Sequence, residues 1–282
     1  MFRSIAPLAF AFFVAVAIAL IGRSDLRVAI CAAWNDPVSL PSLSEDPRIH
    51  HETAARACAE RIAGLLPDAI AQIEGAQGRP FARPPQIGVY DSYQTYARAN
   101  GLGDAGVAAV TRAGWALLSP TLCEDEYERL ATVLTHELSH VHLFGWRPRN
   151  ASRPPAWFTE GLAVAVSGGG GAEGLSDDEA RRAICSDVRV ILDDVPWTDF
   201  AALRFSREPA CAAPCDLWTY RQRLAFRQAG LFVSWLRDLN PEAFQQLLRD
   251  LEQGADFQQA FTKSFRHQSG NYWEGLIKDC NK

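Results

Sequence analysis

Residues 136–140 read His136-Glu137-Leu138-Ser139-His140, and after 16 further residues the chain reads Trp157-Phe158-Thr159-Glu160-Gly161-Leu162-Ala163. Two histidines four apart on a helix lie on one face, one turn above the other, so both imidazoles can reach one metal ion. The glutamate after the first histidine then points at the open side of that metal and is a base, not a ligand. Zinc in a hydrolytic site takes three protein donors and leaves one position open. His136, His140 and Glu160 supply that set, with Glu137 as general base. The plain alternative is a salt-bridged helix face. With six His in the chain, a chance H-E-x-x-H arises on the order of 0.01 times, and a chance match would lack both a helix and a third donor.

Working outward, Glu124, Asp125 and Glu126 carry the negative charge that a helix start favours, and Tyr127, Leu130, Leu134, Leu138 and Val141 follow at steps of three and four. Gly145 and Pro148 close that helix. A second helix is expected from Ala156 to Val166, placing Glu160 mid-helix, with the glycine run 168–171 as its terminator. Upstream, helical spacing covers Glu52 to Glu74 with a break or kink at Pro67. Gln86 to Tyr90 reads as a strand, Asp91-Ser92 as the cap of a short helix, and 105–110 and 114–119 as neighbouring strands. Downstream, 172–216 reads as irregular and disulfide-stapled, followed by helices over 224–236, 242–251 and 257–265. The expected architecture is α+β: one domain over 51–282, with a lobe at 51–145 that carries the motif helix and a helical lobe at 146–282 that carries Glu160.

The two motifs resemble those of the gluzincins, and within them the peptidase MA-like families, which share an E-G-[LF]-A third-ligand motif with the aminopeptidase N group. The resemblance runs on through Val195-Pro196-Trp197, the helix Ala225 to Leu236 and Gly254 to Phe261. It implies a zincin-like, thermolysin-like catalytic fold, a peptide or protein substrate, and a strand before the motif helix, here Trp115 to Ser119, that pairs with the substrate backbone. It also implies zinc on His136, His140 and Glu160, with Glu137 as base. Two positions depart from the pattern. Phe226 stands where these families carry Tyr, which leaves Tyr220 as the candidate donor to a tetrahedral oxyanion. Val164 stands where thermolysin-like enzymes place a carboxylate four residues after the third ligand, so the outer partner of the zinc histidines is unassigned.

A chain of 282 residues, 48% hydrophobic, can bury a full core. A net charge of -5 with mixed signs and no basic stripe argues against nucleic acid. The uncharged stretch Ile5 to Gly22, 18 residues behind Arg3, reads as a signal segment or, preferably, a membrane anchor over 1–23. Cys31-Ala32-Ala33 offers a tolerable cleavage site, and 24–50, with Pro37, Pro41 and Pro47, reads as a linker. Six of the seven cysteines lie beyond Cys31, and these six fit an oxidising compartment in any of 15 pairings, with Cys211 and Cys215 read as a disulfide. His50, His51, His142 and His267 read as surface or satisfied core histidines. The function expected is peptide hydrolysis outside the cytoplasm. A zinc-binding scaffold without catalysis and hydrolysis of a non-peptide amide are the other classes that fit.

Overall fold

The structure, a computed structural model, describes residues 23–193, 197, 203–212, 214–265, 273–278 and 280. The segment Ile5 to Gly22, Val195, Pro196 and His267 lie outside the described residues. Four short strands form one sheet in the order β1-β2-β4-β3. They are β1 Ile49–His51, β2 Gln86–Val89, β3 Ala109–Arg112 and β4 Trp115–Leu118. The first three neighbours in that order run parallel, and β3 pairs antiparallel with β4, Ala109 opposite Leu118 and Arg112 opposite Trp115. Alternation along β4 sends Ala116 and Leu118 to the main core and Leu117 to a smaller cluster with Tyr90, Tyr96 and Ala99 on the other face.

The helices of the sheet half are α1 Ser24–Trp34, α2 Arg56–Gln77, α3 Tyr93–Ala99 and α4 Thr121–Glu124. They are followed by the motif helix α5 Leu130–Trp146, then α6 Ala156–Ser167, α7 Asp177–Cys185, α8 Leu217–Leu239, α9 Pro241–Glu252, α10 Phe257–Ser264 and α11 Glu274–Lys278. Helix α5 lies across the sheet between α2 and α6, and α6 packs along α8. A single hydrophobic cluster runs from Ile49 and Ile87 through Leu134, Leu138 and Phe158 to Phe232 and Leu251. The two expected lobes therefore share one core.

Several boundaries differ from the sequence reading. Residues 24–50 are not a linker: 24–34 are helical, Ala32 is buried, and Ile49–His51 form an edge strand, so the folded unit begins well before His51. Pro67 does not break α2, which continues to Gln77 and ends at Gly78 in the left-handed region. The core contacts of Cys58, Ile62, Leu66, Ala69 and Ile73 along one face outweigh the hydrogen bond that Pro67 cannot donate. The strand expected at 105–110 lies at 109–112, because Asn100 caps the loop before it: its Oδ1 accepts from the backbone N–H of Leu102 and Gly103. The stretch 172–216 contains α7, started by a capping box in which Ser176 and Glu179 satisfy each other's backbone N–H. Six cysteines pair as Cys58–Cys123, Cys185–Cys280 and Cys211–Cys215, and Cys31 is free and exposed.

Candidate metal centre

Helix α5 is buried from Val133 to Leu143, including both motif histidines and Glu137. Helix α6 delivers the third donor because α6 and α8 approach closely. A Cβ on Gly161 would meet the carbonyl oxygen of Ala229 at 2.7 Å, and one on Gly230 would meet the Val164 side chain at 2.6 Å. The glycine after Glu160 is thus a packing requirement. It lets the helix seat with Glu160 facing α5 while Trp157 and Phe158 fill the core on the other side.

The donor atoms converge. His136 Nε2 lies 3.2 Å from His140 Nε2 and 3.2 Å from Glu160 Oε2, and His140 Nε2 lies 3.3 Å from the same oxygen. Ligands at about 2.0–2.1 Å from a common tetrahedral centre stand about 3.3–3.4 Å apart, so this triangle has the size that a zinc ion needs. The proton inventory points the same way. His136 Nδ1 faces the carbonyl oxygen of Gly170 at 2.8 Å and so must carry hydrogen, which leaves Nε2 as a lone pair directed at a carboxylate. His136 Nε2 and Glu160 Oε2 are thus two acceptors that meet beside His140 Nε2, an arrangement that a metal ion or a proton on His140 can bridge. Burial raises the Glu160 carboxyl, but the His140 charge and the contacts with the two imidazoles carry it far below the usual carboxylate range. Burial lowers His140, and the Glu160 carboxylate more than reverses this, leaving its imidazole more basic than usual.

Gly170 answers the question left by Val164. Gly168, Gly169 and Gly171 all have positive φ, and this turn folds the Gly170 carbonyl back onto His136. The Ser167 hydroxyl accepts from the Gly170 N–H, and Glu173 accepts from the Gly171 N–H while pairing with Arg129. A run read as a helix terminator is therefore also the clamp that fixes the tautomer and plane of a donor histidine. The only sequence signal was the length of the glycine run, which exceeds what a helix stop needs.

Glu137 is buried, and its carboxylate Oε2 lies 2.7 Å from the hydroxyl of Thr111 on β3. The same hydroxyl is 2.8 Å from the Glu137 carbonyl oxygen. Thr111 had no sequence signal, because only the antiparallel turn at 113–114 folds β3 over the motif helix. This arrangement also corrects the expected substrate strand. Trp115–Leu118 is paired on both sides, with β2 and β3, and has no free backbone edge. The outer strand beside α5 is Ala109–Arg112.

Two aromatic rings flank the histidines. Phe226 lies parallel to His136 at 6.4 Å and in tilted contact with Trp197, and Phe144 lies parallel to His140 at 6.4 Å under the guanidinium of Arg153. Tyr220 is not brought to this centre. It sits six residues before Phe226 on α8, about 9 Å along the axis and about 120° around it. There it lines a separate cavity of about 250 Å³ with Glu179, Arg182, Ser186 and Val188. His142 points away from the donor triangle, its ring nitrogens 2.8 Å from Gln77 Oε1 and 2.9 Å from the Arg79 carbonyl oxygen. No protein-family model, curated protein or solved structure matches the chain.

Proposed function

We propose that the chain is a zinc-dependent peptidase that acts outside the cytoplasm. The observation that carries this reading is the donor triangle of His136, His140 and Glu160, with sides of 3.2–3.3 Å, beside a buried Glu137 that is not part of it. Zinc held there supplies a Lewis acid for a carbonyl oxygen and acidifies a water molecule toward a pKa of about 7. The remaining work falls to side chains. Thr111 Oγ1 holds one carboxylate oxygen of Glu137, which leaves the other free to take a proton from water and later deliver it to a leaving amine. The outer edge of β3 offers backbone groups to an extended peptide. Three disulfides and the apolar stretch Ile5 to Gly22 support a membrane-anchored or exported chain.

A second reading, a zinc-binding scaffold without turnover, draws on one observation: the ring of Phe226 lies against His136 where related sites present a hydroxyl. Cleavage of an unbiased peptide library by the purified protein, with and without chelator, separates the two. The expected result is chelator-sensitive cleavage that Glu137→Gln lowers at least about 100-fold, the scale of a lost general base. Full activity in that variant sinks the mechanism, and stoichiometric zinc with no cleavage favours the scaffold.

A further inference from the structure

Helix α1, Ser24–Trp34, has two unlike faces. Inward, Val28 and Ala32 pack toward α3 and its following loop: Ala32 is 1% exposed, and a Cβ on Gly103 would meet the Val28 side chain at 2.9 Å. Outward, at about 100° per residue, Ala29, Ala33, Leu26, Ile30 and Trp34 fall within an arc of about 140°. Leu26 and Ile30 are each 39% exposed and Trp34 is 87% exposed, with Val38, at 62%, just beyond the helix. Arg27 borders the arc on the Trp34 side, and Arg23 directly precedes the helix.

A tryptophan left almost wholly in water forgoes the burial that stabilises aromatic side chains, and one end of its ring system suits a membrane interface. The place of this face in the chain says what covers it. The uncharged stretch Ile5 to Gly22 ends one residue before Arg23, whose backbone is extended at φ -126° and ψ 96°, and α1 begins at Ser24. An apolar arc bordered by Arg27, on a helix that starts where an apolar segment ends, matches an interfacial helix lying in the bilayer plane. We propose that α1 lies on the lipid surface with Leu26, Ile30 and Trp34 in the interfacial region and Arg27 toward headgroup level. This rests on reading Ile5 to Gly22 as membrane-inserted. Because the opposite face of α1 is packed on the domain, docking fixes the domain's orientation to the bilayer, which a linker would leave free.

The test uses the full chain reconstituted in phosphatidylcholine–phosphatidylglycerol vesicles. A spin label is placed at the centre of the arc by Ala33→Cys in a Cys31→Ser background, and a reference label at Asp178→Cys on α7. The label at 33 is expected to collide with oxygen over a polar nickel chelate at a ratio several-fold above that at 178. Leu26→Ser combined with Ile30→Ser should return that ratio toward the reference. Equal ratios in protein that resists alkaline extraction from the vesicles overturn the proposal and leave the anchor standing. Spin–spin broadening at 33 assigns the face to a second copy and also overturns it. Extraction of the chain by alkali refutes the anchor itself, and the docking with it.

Discussion

Gly170→Ala perturbs the metal centre while leaving every donor in place. An added Cβ would sit 2.3 Å from the carbonyl oxygen of Thr132 and 2.8 Å from its carbon, both backbone atoms of α5 that cannot give way. The turn must move instead, and with it the carbonyl that accepts the His136 Nδ1 proton at 2.8 Å. Removing the outer partner of a metal-binding histidine lowers affinity about 10- to 100-fold, or about 1.4–2.8 kcal/mol. That matches the cost of about 1–3 kcal/mol for a buried polar group left unpaired. Gly168→Ala is the control. Gly168, unlike Gly170, has positive φ, at 70°, but a Cβ there meets nothing within 4 Å, so the variant bears about 1–2 kcal/mol of backbone cost and keeps the carbonyl in place. Competition for zinc against a chromophoric chelator, with circular dichroism and thermal melting on the same samples, reads both effects. Zinc affinity should fall 10- to 100-fold in Gly170→Ala alone, and Gly168→Ala should show only a lower Tm. A folded Gly170→Ala protein with unchanged zinc affinity, or an equal loss in the control, refutes the clamp.

Thr111→Val removes the hydroxyl held 2.7 Å from Glu137 Oε2 and should lower kcat about 10- to 100-fold with KM little changed, while Thr111→Ser restores most of it; an unchanged kcat removes Thr111 from the site. The Cys58–Cys123 bridge closes a span of 65 residues, so replacing both cysteines by Ala should cost about 4 kcal/mol in urea unfolding, and a loss below about 1 kcal/mol contradicts the loop-entropy account. Burial holds the His142 imidazole below its ordinary pKa, so the stability it contributes is complete above pH about 6.5 and falls as the pH drops, by at most about 1.4 kcal/mol at pH 5.5. In chelator-treated protein, His142→Gln should flatten the decline of stability between pH 7.5 and 5.5 by up to that amount, and an unchanged slope counts against it.

Local patterns carried much of this molecule. The spacing of Leu130, Leu134 and Leu138 marked the motif helix, Gly168 marked the end of α6, and the i, i+4 spacing put His136 and His140 on one face, because each depends only on neighbours along one helix. Errors fell where packing overrode local preference: α2 runs through Pro67 because its core face holds it, and α1 forms in a proline-containing stretch because Val28 and Ala32 find a surface to pack on. Tyr220 failed as a neighbour of the centre for a related reason. Six positions along a helix is a rotation onto another face, and the face that meets α5 is set by where α6 and α8 touch, at Gly161 and Gly230.

The sequence by itself singled out His136, His140 and Glu160 as a group that could hold a metal and placed Glu137 beside the first of them on the motif helix, since those identities and helical spacings need no partner element. Only the tertiary structure decided the 3.2–3.3 Å triangle, the Gly170 carbonyl behind His136, the Thr111 hydroxyl on Glu137 and the outer position of β3. Apart from the His136–His140 side of the triangle, these join residues from different elements, 20 to 34 positions apart for the site contacts, and such distances are fixed by how close-packed elements meet and not by any pattern within one of them.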